Sequence, residues 1–136
     1  MKTLPMIFFT ILAAASGSAL AVCSGSALNA SQLTTLLSGN TVCGVAGTDR
    51  WQEEHRTNGD LWDFKKGAGD AVDPEEKVGT WSVISGAGHD AGLVNYAYLG
   101  GGKYSYVVYD NGGGAYSFCG PSTVEATVKT GIAGGC

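Results

Sequence analysis

Eight short runs of strand-forming residues, each closed off by glycine-bearing punctuation, limit this chain to an all-β fold. In order they are TVCGV, RWQEEHR, LWDFKKG, VGTWSVIS, LVNYAYLG, KYSYVVYD, AYSFCG and TVEATVKTG, between residues 41 and 131. They are rich in Val, Tyr, Thr and Trp, the residues that suit a pleated, half-buried surface. Links such as LGGGK and DNGGGA are short enough for hairpins, so sequence neighbours should pair antiparallel. The 22 glycines are unevenly spaced, which excludes a collagen-like or solenoid repeat. Only NASQLTTLLSGN reads as helical. Asn29 or Ser31 offers a cap, Leu33, Leu36 and Leu37 recur at helical spacing, and Gly39 stops it. The expected fold is an antiparallel up-and-down barrel or strongly curled meander of about eight strands. Its one short N-terminal helix would cap an open end or pack outside. A sandwich is the less favoured layout, because no long crossovers are present.

The first residues read as an address. Met1-Lys2 gives a positive start, LPMIFFTILAAA is a short apolar run, and Ala19-Leu20-Ala21 matches a small-x-small cleavage pattern. Residues 1–21 are therefore expected to be a signal peptide and residues 22–136 a single domain. A lipid anchor at Cys23 is disfavoured by Val22, since that processing prefers a small residue there. No later run approaches the ~20 apolar residues of a membrane helix. All four cysteines, Cys23, Cys43, Cys119 and Cys136, follow the cleavage point. An even count in an exported chain implies two disulfides and a secreted or periplasmic location. Three pairings exist. Cys43–Cys119 with Cys23–Cys136 is preferred because domain termini often lie close together. Cys23–Cys43 with Cys119–Cys136 is the main alternative.

Eight basic residues stand against twelve acidic ones, a formal net charge of −4. Without a basic cluster, nucleic acid is not an expected partner. Asp70, Asp73, Glu75 and Glu76 lack the ligand order of a calcium loop and read as a solvated acidic loop. No C-x-x-C, G-x-S-x-G, P-loop or H-E-x-x-H occurs, so neither a metal nor a cofactor is expected. Asn29-Ala30-Ser31 is a glycosylation sequon, relevant only in a eukaryotic secretory host.

WQEEHRTNGDLWDFKK, residues 51–66, is the most informative stretch. With Asn58-Gly59 as a two-residue turn, His55 would pair with Trp62, Glu54 with Asp63 and Glu53 with Phe64. One face would then gather Trp51, Glu53, His55, Trp62 and Phe64, leaving Gln52, Glu54, Arg56, Leu61, Asp63 and Lys65 to solvent. A buried carboxylate and imidazole both need partners. A structural network, with Glu53 accepting from His55 or a tyrosine, is weighed above an acid–base or ligand-binding pair. Tyr96 with Tyr98, and Tyr104 with Tyr106, share faces of neighbouring strands. Strand packing explains most of these and of Tyr109 and Tyr116 more simply than ligand contact does. His89-Asp90 reads as an exposed loop rather than a second metal ligand.

At LLSGNTVCG, GDLWDFKKG, VGTWSV and YSFCG the chain resembles small exported bacterial proteins with a lipocalin-like (calycin-like) β-barrel. The resemblance covers roughly residues 31–129 and rests on layout. Gly79-Thr80-Trp81 sits mid-chain, whereas the G-x-W of lipocalins proper lies near the start of the mature chain. Avidin-type barrels also use a GTW strand, but nothing else here matches them, and biotin binding is not inferred. The resemblance implies a barrel whose end admits a ligand, and no catalytic residue. The expected function is binding of a small apolar molecule in the barrel, or of another exported protein at its rim, by inhibition of a hydrolase for example. Trp51, Glu53, His55, Trp62, Phe64 and Trp81 are the expected lining. An enzyme using Glu53 and His55, and a structural envelope component without ligand, are the alternatives.

Overall fold

The computed structural model describes residues 23–47, 49–63, 75–87, 90–132 and 136. Asn29 caps the helix α1, Ala30–Leu37: its side chain accepts from the Gln32 amide while the Gln32 side chain accepts from the Asn29 amide. Eight residues cannot hold a helix alone, so packing must supply the rest. Eight strands follow: β1 Asn40–Ala46, β2 Asp49–His55, β3 Asp60–Asp63, β4 Glu76–Ala87, β5 Ala91–Tyr98, β6 Lys103–Gly112, β7 Ala115–Cys119 and β8 Thr123–Thr130. Each pairs antiparallel with the next, and β1 pairs with β8, so the sheet closes into a barrel. Closure leaves no edge strand among the described strands.

The helix plugs one end. Its N-terminal side touches the start of β5, where Leu28 accepts from the Gly92 amide, and its far side ends where the Gly39 amide donates to the His55 carbonyl. In a ring of eight, β5 and β1 lie opposite one another, and eight helical residues span about 12 Å, enough to cross the mouth. Leu33 and Leu37 point into the barrel and are fully buried.

The β2–β3 hairpin differs from the expected register by one residue. His55 faces Leu61, Glu54 faces Trp62 and Glu53 faces Asp63. The loop is Thr57-Asn58-Gly59: the Gly59 amide donates to the Arg56 carbonyl, the Arg56 amide to the Asp60 carbonyl, and Gly59 holds φ 88°. Gly59 thus takes the left-handed position of a three-residue loop. A one-residue slip exchanges the faces of β3. Leu61 goes inside and is fully buried. Trp62, expected inside, turns outward, with the Arg56 guanidinium 4.0 Å above its ring. Phe64, Asp70, Asp73, Lys65 and His89, together with residues 1–21, expected to be a signal peptide, lie outside the described residues.

The disulfides are Cys23–Cys119 and Cys43–Cys136, the pairing that neither sequence argument favoured. The barrel explains the correction. Strand β8 lies between β1 and β7: Thr127 faces Cys43 on one side and Ala115 on the other, four residues from Cys119. Two strand spacings and that rise separate Cys43 from Cys119 by about 16 Å, beyond the ~7 Å a bridge can span. Both cysteines alternate with inward residues and point outward, so each bridge fixes a terminal segment to the outer wall. Thr41 Oγ1 on β1 donates to the Gly131 carbonyl at 2.8 Å, and the Cys136 amide donates to Gln52 Oε1 on β2 at 2.7 Å. Two disulfides fit an oxidising compartment outside the cytoplasm. Among the described residues no helix is long and apolar enough to cross a membrane.

Candidate functional site

Above the helix plug the barrel interior divides into a sealed layer and a cavity. In the sealed layer His55 is fully buried, with Leu61 as its cross-strand partner and the Trp81 and Tyr96 rings edge-on to it. His55 Nδ1 lies 3.2 Å from the Glu53 carbonyl oxygen, and Nε2 lies 2.9 Å from the Tyr96 hydroxyl. A carbonyl only accepts, so Nδ1 carries the proton and Nε2 accepts from Tyr96. Burial pushes the imidazole down to about 4, so it stays neutral. Trp81 packs edge-on to His55 at 5.1 Å and donates its indole N–H to the Arg56 carbonyl. These two residues, expected on a ligand wall, instead close the floor beneath it.

Tyr96 is the boundary. Its hydroxyl reaches down to His55 while its ring faces the cavity above. That cavity, about 60 Å³, is walled by Trp51 and Glu53 on β2, Tyr96 and Tyr98 on β5, Tyr106 on β6 and Phe118 on β7, with Val42 and Gly44 on β1 and Val124 on β8 closing the remaining side. Four of the rings form a turning arc: Tyr98 to Tyr96 at 6.2 Å, Tyr96 to Tyr106 at 5.9 Å, and Tyr106 to Phe118 at 6.3 Å. Trp51 and Glu53 face this arc from the opposite side, since β2 and β6 are four strands apart. Gly44 makes the space for Trp51: a methyl group there would lie 3.1 Å from the indole and 2.9 Å from Val124. The indole covers the bare glycine opposite it.

Glu53 is half-buried and accepts from the Tyr98 hydroxyl at 2.7 Å. Burial, and then the Glu53 charge, holds the Tyr96 and Tyr98 hydroxyls well above the ordinary tyrosine value, so both remain donors. Asp63 shares the inner face with Glu53 as its cross-strand partner, and its charge also acts on Tyr98. Among the described lining residues none is a cation.

The structure therefore brings Trp51 and Glu53 to the cavity, sets His55 and Trp81 in the layer below, and turns Trp62 away. Glu53 and His55 are linked through the Glu53 backbone rather than through their side chains. Tyr96, Tyr98 and Tyr106, read from sequence mostly as strand packing, supply three of the nine described lining residues. Their signal was present as two i, i+2 tyrosine pairs on adjacent strands, but inward orientation required knowing which face was enclosed.

On the outer face, Glu54 is buried to 1% exposure beside Trp62 and Arg56. Burial, reinforced by the neighbouring Glu75 carboxylate, pushes Glu54 up to about 7, while Arg56 at 3.4 Å opposes that rise. Glu75, which also pairs with Arg56, is held below the usual carboxylate range by its hydrogen bond to Glu54. Among the described residues no group of three or more His, Cys, Asp or Glu is placed to hold a metal ion. Comparison of the chain with protein-family models, with curated proteins and with solved structures finds no match.

Proposed function

We infer that this is an exported binding protein that receives a small chemical group in the cavity at the end of the barrel away from the helix. The observation that carries this reading is the cavity itself: five aromatic rings and one carboxylate converge on empty space inside the barrel. Its volume of about 60 Å³ sets the scale of the occupant. Sites for drug-sized ligands run to roughly 300–1,000 Å³. The group that enters is thus a terminal moiety of a few heavy atoms, with any remainder of its molecule lying at the rim. Export is supported by the two disulfides and by the leader-like residues 1–21.

Acid–base catalysis by Glu53 and His55 draws no support from this geometry, because both His55 nitrogens are occupied and the ring is enclosed. A barrel acting only as an envelope component would have no use for an aromatic-walled void.

Native mass spectrometry of protein isolated from its own host, paired with amide chemical-shift mapping, tests the reading. A retained small molecule, or one whose addition shifts Trp51, Tyr98, Tyr106 and Phe118 together, is the expected result. An apo mass, with shifts absent from the cavity wall across a panel of small polar and apolar fragments, would overturn it.

A further inference from the structure

We propose that the group held in the cavity is a methylated ammonium head, a compact organic cation with no N–H to donate. This rests on the reading of the cavity as a ligand site and assigns the ligand's chemical class.

Three features of the wall point there together. The first is the arc of rings. Tyr98, Tyr96, Tyr106 and Phe118 run from strand to strand with Trp51 opposite, so a group at the centre meets five rings, with Val42 and Val124 closing the side between Phe118 and Trp51. Aromatic faces carry partial negative charge and attract cations, Trp most strongly. The second is charge. Glu53 lines the cavity, Asp63 shares its face, and among the described lining residues no cation competes. An uncharged apolar ligand would gain nothing from that carboxylate and would have to desolvate it. An anionic ligand would be repelled.

The third feature separates one kind of cation from another. A primary ammonium carries three donors and a guanidinium five, and each donor needs an acceptor once water is excluded. This wall offers few. Its one carboxylate, Glu53, is shared with the Tyr98 hydroxyl, and the Tyr96 hydroxyl is turned down to His55; Val42, Gly44, Trp51, Phe118 and Val124, most of the remaining lining, carry no side-chain acceptor. A methylated ammonium needs no acceptors, only π surface and a nearby negative charge, and those are what the wall supplies. Its bulk also fits, since about 60 Å³ accommodates on the order of four water-sized positions.

Choline and 3,3-dimethyl-1-butanol are the decisive probes, because they share one shape and differ in charge. Ethanolamine supplies the primary-ammonium comparison. Each is titrated into the full disulfide-bonded protein and followed by amide shifts at Trp51, Tyr98, Tyr106 and Phe118. Choline should saturate these shifts with an affinity at least tenfold above both other probes, and Glu53→Gln should weaken it at least tenfold. Equal or tighter binding of dimethylbutanol would overturn the cation assignment while leaving the cavity a ligand site. Tighter binding of ethanolamine would overturn the methylated class alone. If none of the three shifts the wall, this assignment fails, and the ligand-site reading fails with it only where the native mass is apo and the fragment panel is also blank. The comparison of probes uses the unsubstituted protein, so it stands even where Glu53→Gln does not fold.

Discussion

Two buried titratable residues sit on opposite faces of β2, and they act on stability in opposite directions. His55 takes up its proton in the unfolded chain near 6.5 but in the folded protein only near 4. Its contribution is fully present above pH 6.5 and is lost as pH falls toward 4. Glu54 is the reverse case. The folded protein keeps its proton up to about 7, whereas the unfolded chain releases it near 4.5, so stability falls as pH rises between those values. Each shift corresponds to at most roughly 3 kcal/mol, and that of Glu54 to less, since Arg56 beside it is one-third exposed and partly compensates. The lowered Glu75 further offsets it. Over pH 4.5 to 6.5 the two effects oppose one another, and the unsubstituted protein should show a shallow profile. Single substitutions separate them. Glu54→Gln should give stability that rises with pH across this window. His55→Gln, which keeps an acceptor for Tyr96, should give stability that falls. Urea midpoints at the two ends of the window decide it; profiles for both variants as shallow as the parent's would refute the assignment.

At the scale of elements, α1 is the piece whose local sequence cannot account for its existence. A capping box and three leucines do not hold eight residues helical in water. Burial of Leu33 and Leu37 in the barrel mouth does. Leu33→Ala should therefore cost about 2–5 kcal/mol, the range for a fully buried leucine, whereas Ser31→Ala on the exposed side should cost well under 1 kcal/mol. Denaturant unfolding measures both, and a Leu33→Ala cost near that of Ser31→Ala would mean that the helix is not a plug. The sequence made this helix and all eight strands legible, because their apolar periodicities and glycine breaks are local properties. It also placed Trp51 and Glu53 on an inward face through simple alternation. The partner strand was not legible in the same way. Asn58-Gly59 suits both a two-residue and a three-residue loop, and the choice between them decides whether Leu61 or Trp62 is enclosed. Asn58 Oδ1 accepting from the Asp60 amide, with Arg56 stacking on Trp62, favours the longer loop. Both are contacts that alternation alone does not reveal. The tyrosine wall was hidden for a related reason: which side of β5 and β6 is enclosed depends on closure of the whole barrel.

Closure is also what the disulfides serve. Seven of the eight strand pairings join sequence neighbours, and only β1 with β8 brings distant residues together. That seam must form after a long loop is closed, at an entropic cost that local hairpins avoid. Cys43–Cys136 runs from mid-β1 to the segment that follows β8, and so holds both sides of the seam. Cys23–Cys119 instead ties the segment leading into α1 onto β7. The two bridges enclose loops of similar size, with sequence separations of 93 and 96 residues. On chain entropy alone, removing either should therefore lower global stability by a similar amount, about 4–5 kcal/mol. Their local effects should differ. Replacing Cys43 and Cys136 by alanine should speed hydrogen exchange at the seam, at amides such as Val42, Gly44, Ala126 and Val128. Replacing Cys23 and Cys119 should leave those amides closer to the global limit and speed exchange at Leu28 and Gly92, where the leading segment docks between β5 and β6. Exchange measured on both double variants, with denaturant midpoints to fix their global stability, distinguishes a seam clamp from a simple cross-link. If both variants showed the same exchange pattern, the bridges would act only through the unfolded chain, and the barrel would close on the strength of its strand pairing alone.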